Sequence, residues 1–131
     1  MKINTLLTAL LLLLLTTACT EEKLAFEVKA APVLGIIEAA PAEADMVAFS
    51  GTFYELNKDG ILDQAIGIDS IPVTGLEIKV FSQDSDLLET LTTDATGTTL
   101  FEAPAADLTG VSRLEWTGTY NGTNFRILKN L

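Results

Sequence analysis

From Met46 onward, the chain contains runs in which apolar and polar residues alternate with a period of two, and turn-forming residues separate these runs every roughly 8 to 12 residues. Successive side chains of a β-strand point to opposite faces, so this alternation predicts strands that bury one face. Phe49 and Phe53 share a face of the first predicted strand, and Ile78 and Val80 share a face of another. The pattern predicts an all-β domain, either a sandwich or a barrel.

Turn signals separate the predicted strands. Residues 71–75, with sequence Ile-Pro-Val-Thr-Gly, are predicted to form a turn that leads into the next strand. Between predicted strands at residues 87–93 and 98–102, Asp94 can accept hydrogen bonds from the backbone that follows it, and Gly97 can adopt a positive φ. This segment is therefore predicted to be a tight turn after which the chain returns.

The end of the chain contains a strong hairpin signal. Asn121 and Gly122 tolerate the positive φ angles of a two-residue type I′ turn. Such a turn places Trp116 opposite Ile127 and sets Phe125 on the same face as both. We therefore predict a hairpin with these three side chains directed to the core.

The start of the chain predicts export. Residues 6–15 contain eight leucines, follow a basic start at Lys2, and lead through the small residues 16–18 to Cys19, which is the only cysteine. A membrane-spanning helix needs roughly 20 apolar residues, so this run is too short to span and is typical of a removed signal. The segment resembles the signal peptide and lipobox of bacterial lipoproteins.

The resemblance implies that Cys19 becomes the first residue of the mature chain and carries a diacylglyceryl thioether, with a further acyl chain on its amine. Two acyl chains suffice for stable anchoring in a membrane. The alternative is an incidental cysteine beside an ordinary secretory cleavage site. Glu21, Glu22 and Lys23 resemble the surface-export signal of Bacteroidetes lipoproteins, and the alternative is a solvated charged tether.

Composition divides the chain into three parts. We predict a removed signal peptide at residues 1–18, a lipidated tether rich in alanine, glutamate and proline at residues 19–45, and a sandwich domain at residues 46–131. Within the tether, residues 24–28 and 33–37 are apolar enough to form an extra edge strand or a short helix against the domain. Periodicity leaves these alternatives open.

Charge and composition exclude several classes of function. The chain has 18 acidic and 8 basic residues and a net charge of −10, which argues against recognition of nucleic acid or anionic lipid. It contains no histidine, so neither a serine–histidine nucleophile nor a histidine-based metal site is available. We therefore expect no enzyme activity.

Part of the chain resembles a family of surface domains. The serine-aspartate repeat B-type domains and the related collagen-adhesin B-type and carboxypeptidase regulatory domains are prealbumin-like antiparallel sandwiches of about seven strands. Their pattern is similar to residues 49–53, 57–63, 71–78 and 92–97 with Phe101. The resemblance implies an immunoglobulin-like sandwich that serves as a stalk, spacer or adhesive module.

Several members of that family bind calcium in a loop similar to that of an EF-hand, which supplies oxygen ligands at alternate positions. The resemblance places these ligands at Glu55, Asn57, Asp59, the carbonyl of Ile61 and Asp63. The twelfth position, which holds a bidentate glutamate in an EF-hand, is Ile66 here. The alternative is a polar loop that only connects two strands.

These observations predict a lipid-anchored protein of the outer membrane that acts as a spacer or as a binding and adhesion module, with an unidentified protein or glycan partner. The alternative is an accessory or inhibitor lipoprotein that faces the periplasm and binds a partner protein. Tyr54 and Phe81 are the aromatic candidates for a binding surface outside the core.

Overall fold

A computed structural model describes residues 31–131 of the chain. These residues form eight β-strands and contain no helix. The strands are β1 (Leu34–Ala39), β2 (Met46–Asn57), β3 (Asp69–Pro72), β4 (Glu77–Ser82), β5 (Leu87–Thr92), β6 (Thr98–Pro104), β7 (Arg113–Tyr120) and β8 (Thr123–Asn130). The predicted all-β sandwich is confirmed.

Two antiparallel sheets of four strands each make up the sandwich. The front sheet contains β1, β2, β3 and β6, and the back sheet has the order β5-β4-β7-β8. In the front sheet, β2 pairs with β1 along one edge and with both β6 and β3 along the other. On that second edge, β6 pairs with the first part of β2 and β3 with its last part, and Phe53 lies where the two meet. Its N–H donates to the carbonyl of Gly97, and its carbonyl accepts a hydrogen bond from the N–H of Val73.

The core lies between the two sheets and consists of large side chains from the inward face of each. Trp116, Phe53 and Phe101 are its largest fully buried members. The ring of Phe101 meets Trp116 edge-on at 6.1 Å between centroids, and the ring of Phe53 lies 6.0 Å from Phe125. Aromatic pairs at this spacing stabilise a core beyond the area that they bury.

The predicted hairpin is confirmed in position and register. β7 pairs with β8 so that Trp116 lies opposite Ile127. Asn121 and Gly122 have φ angles of 49° and 73°, as a type I′ turn requires. Trp116 and Phe125 are buried, and Ile127 packs against the core at its margin.

The predicted tight turn at residues 94–97 is also confirmed. Gly97 has a φ of 74°. The Oδ1 atom of Asp94 accepts hydrogen bonds from the backbone N–H groups of Thr96 and Thr98, at 2.8 Å and 3.0 Å. The strands that flank this turn do not pair with each other, because β5 belongs to the back sheet and β6 to the front sheet. The turn therefore carries the chain from one sheet to the other.

The sandwich includes residues that composition assigned to the tether. Of the two alternatives for residues 33–37, the structure has the strand: β1 pairs with β2 from Leu34 to Ala39, upstream of the predicted domain start at residue 46. Val33 is only 5% exposed, and Ile37 packs against the core. Burial of these apolar side chains accounts for the extra strand. The other apolar stretch, residues 24–28, lies outside the described residues.

The predicted turn at residues 71–75 is shorter than expected. Ile71 and Pro72 belong to β3, and the turn follows them. Val73 donates its N–H to the carbonyl of Phe53 at 3.0 Å. Because backbone N–H directions alternate along a strand, the backbone nitrogen of Pro72 points away from β2. Proline is tolerated there because an edge position needs no donor.

Candidate functional site

The predicted lipid attachment site, Cys19, lies outside the described residues, but the place where the described chain begins is defined. Residues 31–34 border a surface depression together with Leu56 and Lys58. This places the start of the described chain at the end of the sandwich where β2 stops, which we call the loop end. The β2–β3 loop, residues 58–68, lies at this end, and so does the hairpin turn at residues 121–122.

The predicted calcium ligands begin on β2, and the first of them already has a partner. The Oε2 atom of Glu55 accepts a hydrogen bond from the hydroxyl of Tyr120 at 2.5 Å. Tyr120 ends β7, so this bond links the back sheet to the front sheet. Hydrogen bonding to Glu55 is the main cause that raises the pKa of Tyr120, followed by burial and by the negative charge of Glu55.

The next predicted ligands hold the β2–β3 loop together. Oδ1 of Asn57 accepts the N–H of Asp59, and Oδ1 of Asp63 accepts the N–H of Ala65, each at 2.9 Å. Such bonds from Asn and Asp to the backbone two residues later are Asx turns, which shape loops without any ion. These side chains therefore have a structural role in the loop.

The other predicted ligand positions lie in the exposed part of the β2–β3 loop. Asp59 and the Ile61 position lie in the loop and are exposed. Ile66, at the position of the missing twelfth ligand, packs its side chain against Gly60, where an added Cβ would overlap it. Within residues 31–131, no group of three or more acidic, cysteine or histidine side chains is placed to hold a metal ion.

The same loop carries a cluster of exposed aliphatic side chains that the sequence analysis did not single out. Leu62 is 97% exposed and Ile66 68%, and Ile61 and Ile68 are about half exposed. We call these four residues the apolar loop patch. The signal in the sequence is the density of isoleucine and leucine in a segment with no period of two, where a loop normally has polar residues.

A second apolar surface lies on the outer face of the front sheet. Leu34 and Ile36 on β1 and Leu100 on β6 are each more than 40% exposed, and Tyr54 lies half-buried opposite Leu34. In the part of the chain that the structure describes, no strand pairs with the outer edge of β1. Exposed apolar faces and unpaired strand edges are the features through which sheets bind partners.

The aromatic candidates from the sequence differ in position. Tyr54 lies on the outer face of the front sheet, within the surface just described. Phe81 lies on β4 in the back sheet, opposite Glu115, and is half-buried. Only Tyr54 is therefore part of an extended apolar surface.

Two groups of ionisable side chains in the described residues make contacts that support strands or turns. Glu115 on the back sheet binds both Arg113, at 2.7 Å, and Arg126, at 3.5 Å. Hydrogen bonds from Thr96 and Thr98 hold the pKa of Asp94 below its usual value, the side chain of Thr96 having the largest effect. Both arrangements stabilise strands or turns at the surface.

No family model, no curated protein and no solved structure matches the chain. Among residues 31–131, no helix is long and apolar enough to cross a membrane.

Proposed function

We propose that the chain is a lipid-anchored protein of the bacterial cell envelope, held at the outer membrane by acyl chains on Cys19. The observation that carries the proposal is the order of the first 19 residues: a basic start, a short leucine-rich run, small residues and the only cysteine. A lone cysteine is unusual in an exported protein, where cysteines normally pair, and lipid attachment accounts for it.

The anchored body is the β-sandwich, and we propose that it binds a partner at the cell surface. The exposed face around Leu34, Ile36 and Leu100 supports binding over passive spacing, because a spacer gains nothing from apolar side chains in water. Among residues 31–131 no strand pairs with the outer edge of β1, and this edge beside the apolar face supports recognition of an extended segment of a protein by strand addition.

The alternative within the same proposal is a lipoprotein that faces the periplasm and covers a partner protein. The same face and edge support it equally, since they describe how binding occurs and not on which side of the membrane. Surface proteolysis of intact cells distinguishes the two. Loss of the sandwich together with known surface proteins would favour the surface role, and its survival would favour the periplasmic one.

Replacement of Cys19 tests the anchor itself. The Cys19→Ser variant cannot form the thioether, so we expect it to incorporate no radiolabelled fatty acid and to lose membrane attachment by acyl chains. Wild-type protein should incorporate the label and fractionate with the outer membrane. Equal labelling of both proteins would overturn the proposal.

A further inference from the structure

We propose that the apolar loop patch, Ile61, Leu62, Ile66 and Ile68, inserts into the lipid surface to which Cys19 is anchored, as a second membrane contact. This inference rests on the proposed lipid anchor and extends it, because it assigns an orientation to the sandwich. The patch would hold the loop end against the bilayer and leave the outer face of the front sheet accessible from the side.

The position of the patch carries the first step of the argument. Residues 31–34 and Lys58, the first residue of the β2–β3 loop, border the same surface depression. The described chain therefore begins at the end of the sandwich that carries the patch. An acyl anchor on that side brings this end of the molecule nearest to the membrane.

Chain length carries the second step. Residues 20–30 separate Cys19 from the described chain, and a chain of that length can span at most about 36 to 40 Å. β2 has 12 residues and is about 40 Å long, so the opposite end of the sandwich lies about that much further away. Of the two ends, the loop end is the one within ordinary reach of the bilayer.

The hydrogen bonding of the loop carries the third step, because backbone groups placed in an apolar medium must be satisfied internally. The N–H groups of Ile61, Asp63, Ile66 and Gly67 bond to carbonyls within the loop at 2.8 to 3.1 Å. Those of Asp59 and Ala65 bond to the two Asx side chains. The loop therefore presents aliphatic side chains on a backbone that already satisfies many of its donors.

Charge selects the kind of lipid surface. The loop contains Lys58, Asp59 and Asp63, so it has no excess of positive charge with which to bind anionic lipid. Contact must therefore depend on buried apolar area, and it should occur on zwitterionic phosphatidylcholine and be insensitive to salt. The two aspartates remain in the hydrated head-group region.

The test uses the full-length lipidated protein in phosphatidylcholine vesicles. If Cys19 is blocked by its thioether, Leu62→Cys introduces the only free thiol, which is labelled with an environment-sensitive fluorophore. Thr109→Cys is the matched control, because Thr109 is also exposed but lies in the segment after β6, at the opposite end of the sandwich. Since Leu62 makes little contact with the fold, its replacement should leave the melting midpoint unchanged.

We expect quenchers attached to the acyl chains to reduce the fluorescence of the label at position 62 several-fold more than that of the label at position 109. Ile61→Asn in the labelled Leu62→Cys protein should weaken this quenching, because it removes a neighbouring apolar contact. Quenching unchanged by Ile61→Asn would mean that the fluorophore alone drives insertion, and would overturn the inference.

Two further outcomes separate this inference from the proposed anchor. Equal exposure of both labels to water, in protein that sediments with the vesicles, would overturn the loop contact and leave the anchor intact. Protein that fails to sediment with vesicles would overturn the anchor. Quenching between labels at position 62 in detergent, rising with protein concentration, would assign the patch to contact between copies and overturn the membrane contact.

Discussion

The hydroxyl of Tyr120, at the end of β7, donates a hydrogen bond to the carboxylate of Glu55, near the end of β2, and so joins the two sheets at the loop end of the sandwich. The bond favours the neutral form of the phenol and raises the pKa of Tyr120. This contact thus links the stability of the sandwich to pH. It also gives Glu55, the first of the predicted calcium ligands, a hydrogen-bond partner within the protein.

Tyr120→Phe removes this bond and should lower the free energy of unfolding at pH 7 by about 1 kcal/mol, the usual net value of a hydrogen bond. Since the pKa of Tyr120 is raised by folding, its contribution is fully present below about pH 10 and is lost as the pH rises through the raised pKa. Denaturant unfolding at pH 7 and at pH 11 measures both effects. A variant whose stability falls as steeply with alkaline pH as the wild type would contradict this role.

Gly97→Ala should destabilise the sandwich much more than Gly122→Ala. Both glycines have φ angles near 74°, so both substitutions carry the left-handed penalty of about 1 to 2 kcal/mol. A Cβ at Gly97 would also lie 2.6 Å from the carbonyl oxygen of Phe53, whereas a Cβ at Gly122 meets nothing within 4 Å. We expect a loss of about 3 kcal/mol or more at Gly97, from the added steric overlap. If urea unfolding gave equal losses of free energy for the two variants, the backbone of the front sheet would have moved to accommodate the added methyl group, and the expectation would be wrong.

Asp94→Asn should reduce the dependence of stability on acid pH. Folding lowers the pKa of Asp94, so its contribution is present above the ordinary value of 3.8 and is lost as the pH falls through the lowered pKa. The amide oxygen of asparagine can still accept the backbone bonds, so the turn should persist at pH 7. Asp107→Asn is the control, since it removes the same charge but no side-chain hydrogen bond among residues 31–131. If the wild type, Asp94→Asn and Asp107→Asn lost stability equally as the pH fell below about 4, this role of Asp94 would be contradicted.

Calcium at millimolar concentration should leave the thermal midpoint of the protein unchanged. An ion at the predicted site would compete with the bond from Tyr120 to Glu55 and with the Asx turns of Asn57 and Asp63. A ligand that binds only the folded state must raise the midpoint. Melting in the presence of calcium and of chelator tests this, and a rise of several degrees with calcium alone would show that the loop rearranges to bind the ion.

The hairpin of β7 and β8 shows what local sequence signals can predict. The φ requirements of Asn121 and Gly122 determine the turn type, and the turn type determines which residues face each other. Trp116 and Ile127 therefore lie as expected. The buried faces of β2 and β4 were predicted for a similar reason, since alternation requires only that neighbouring residues have different surroundings.

Pairing over longer distances was not predictable in the same way. Nothing local to residues 94–97 indicates that the strands on either side belong to different sheets, or that β1 adds to the edge of β2. Those choices depend on packing between segments that are distant in sequence. The apolar loop patch was missed because period analysis searches for faces of regular elements, and Leu62 belongs to none.

Mass spectrometry of the N-terminal peptide of the mature protein, purified from membranes, tests the central claim most directly. The account predicts that the chain begins at Cys19 and that this peptide carries the mass of a diacylglyceryl group, with or without an acyl chain on the amine. A chain that begins at another residue, or a Cys19 with an unmodified thiol, would contradict it.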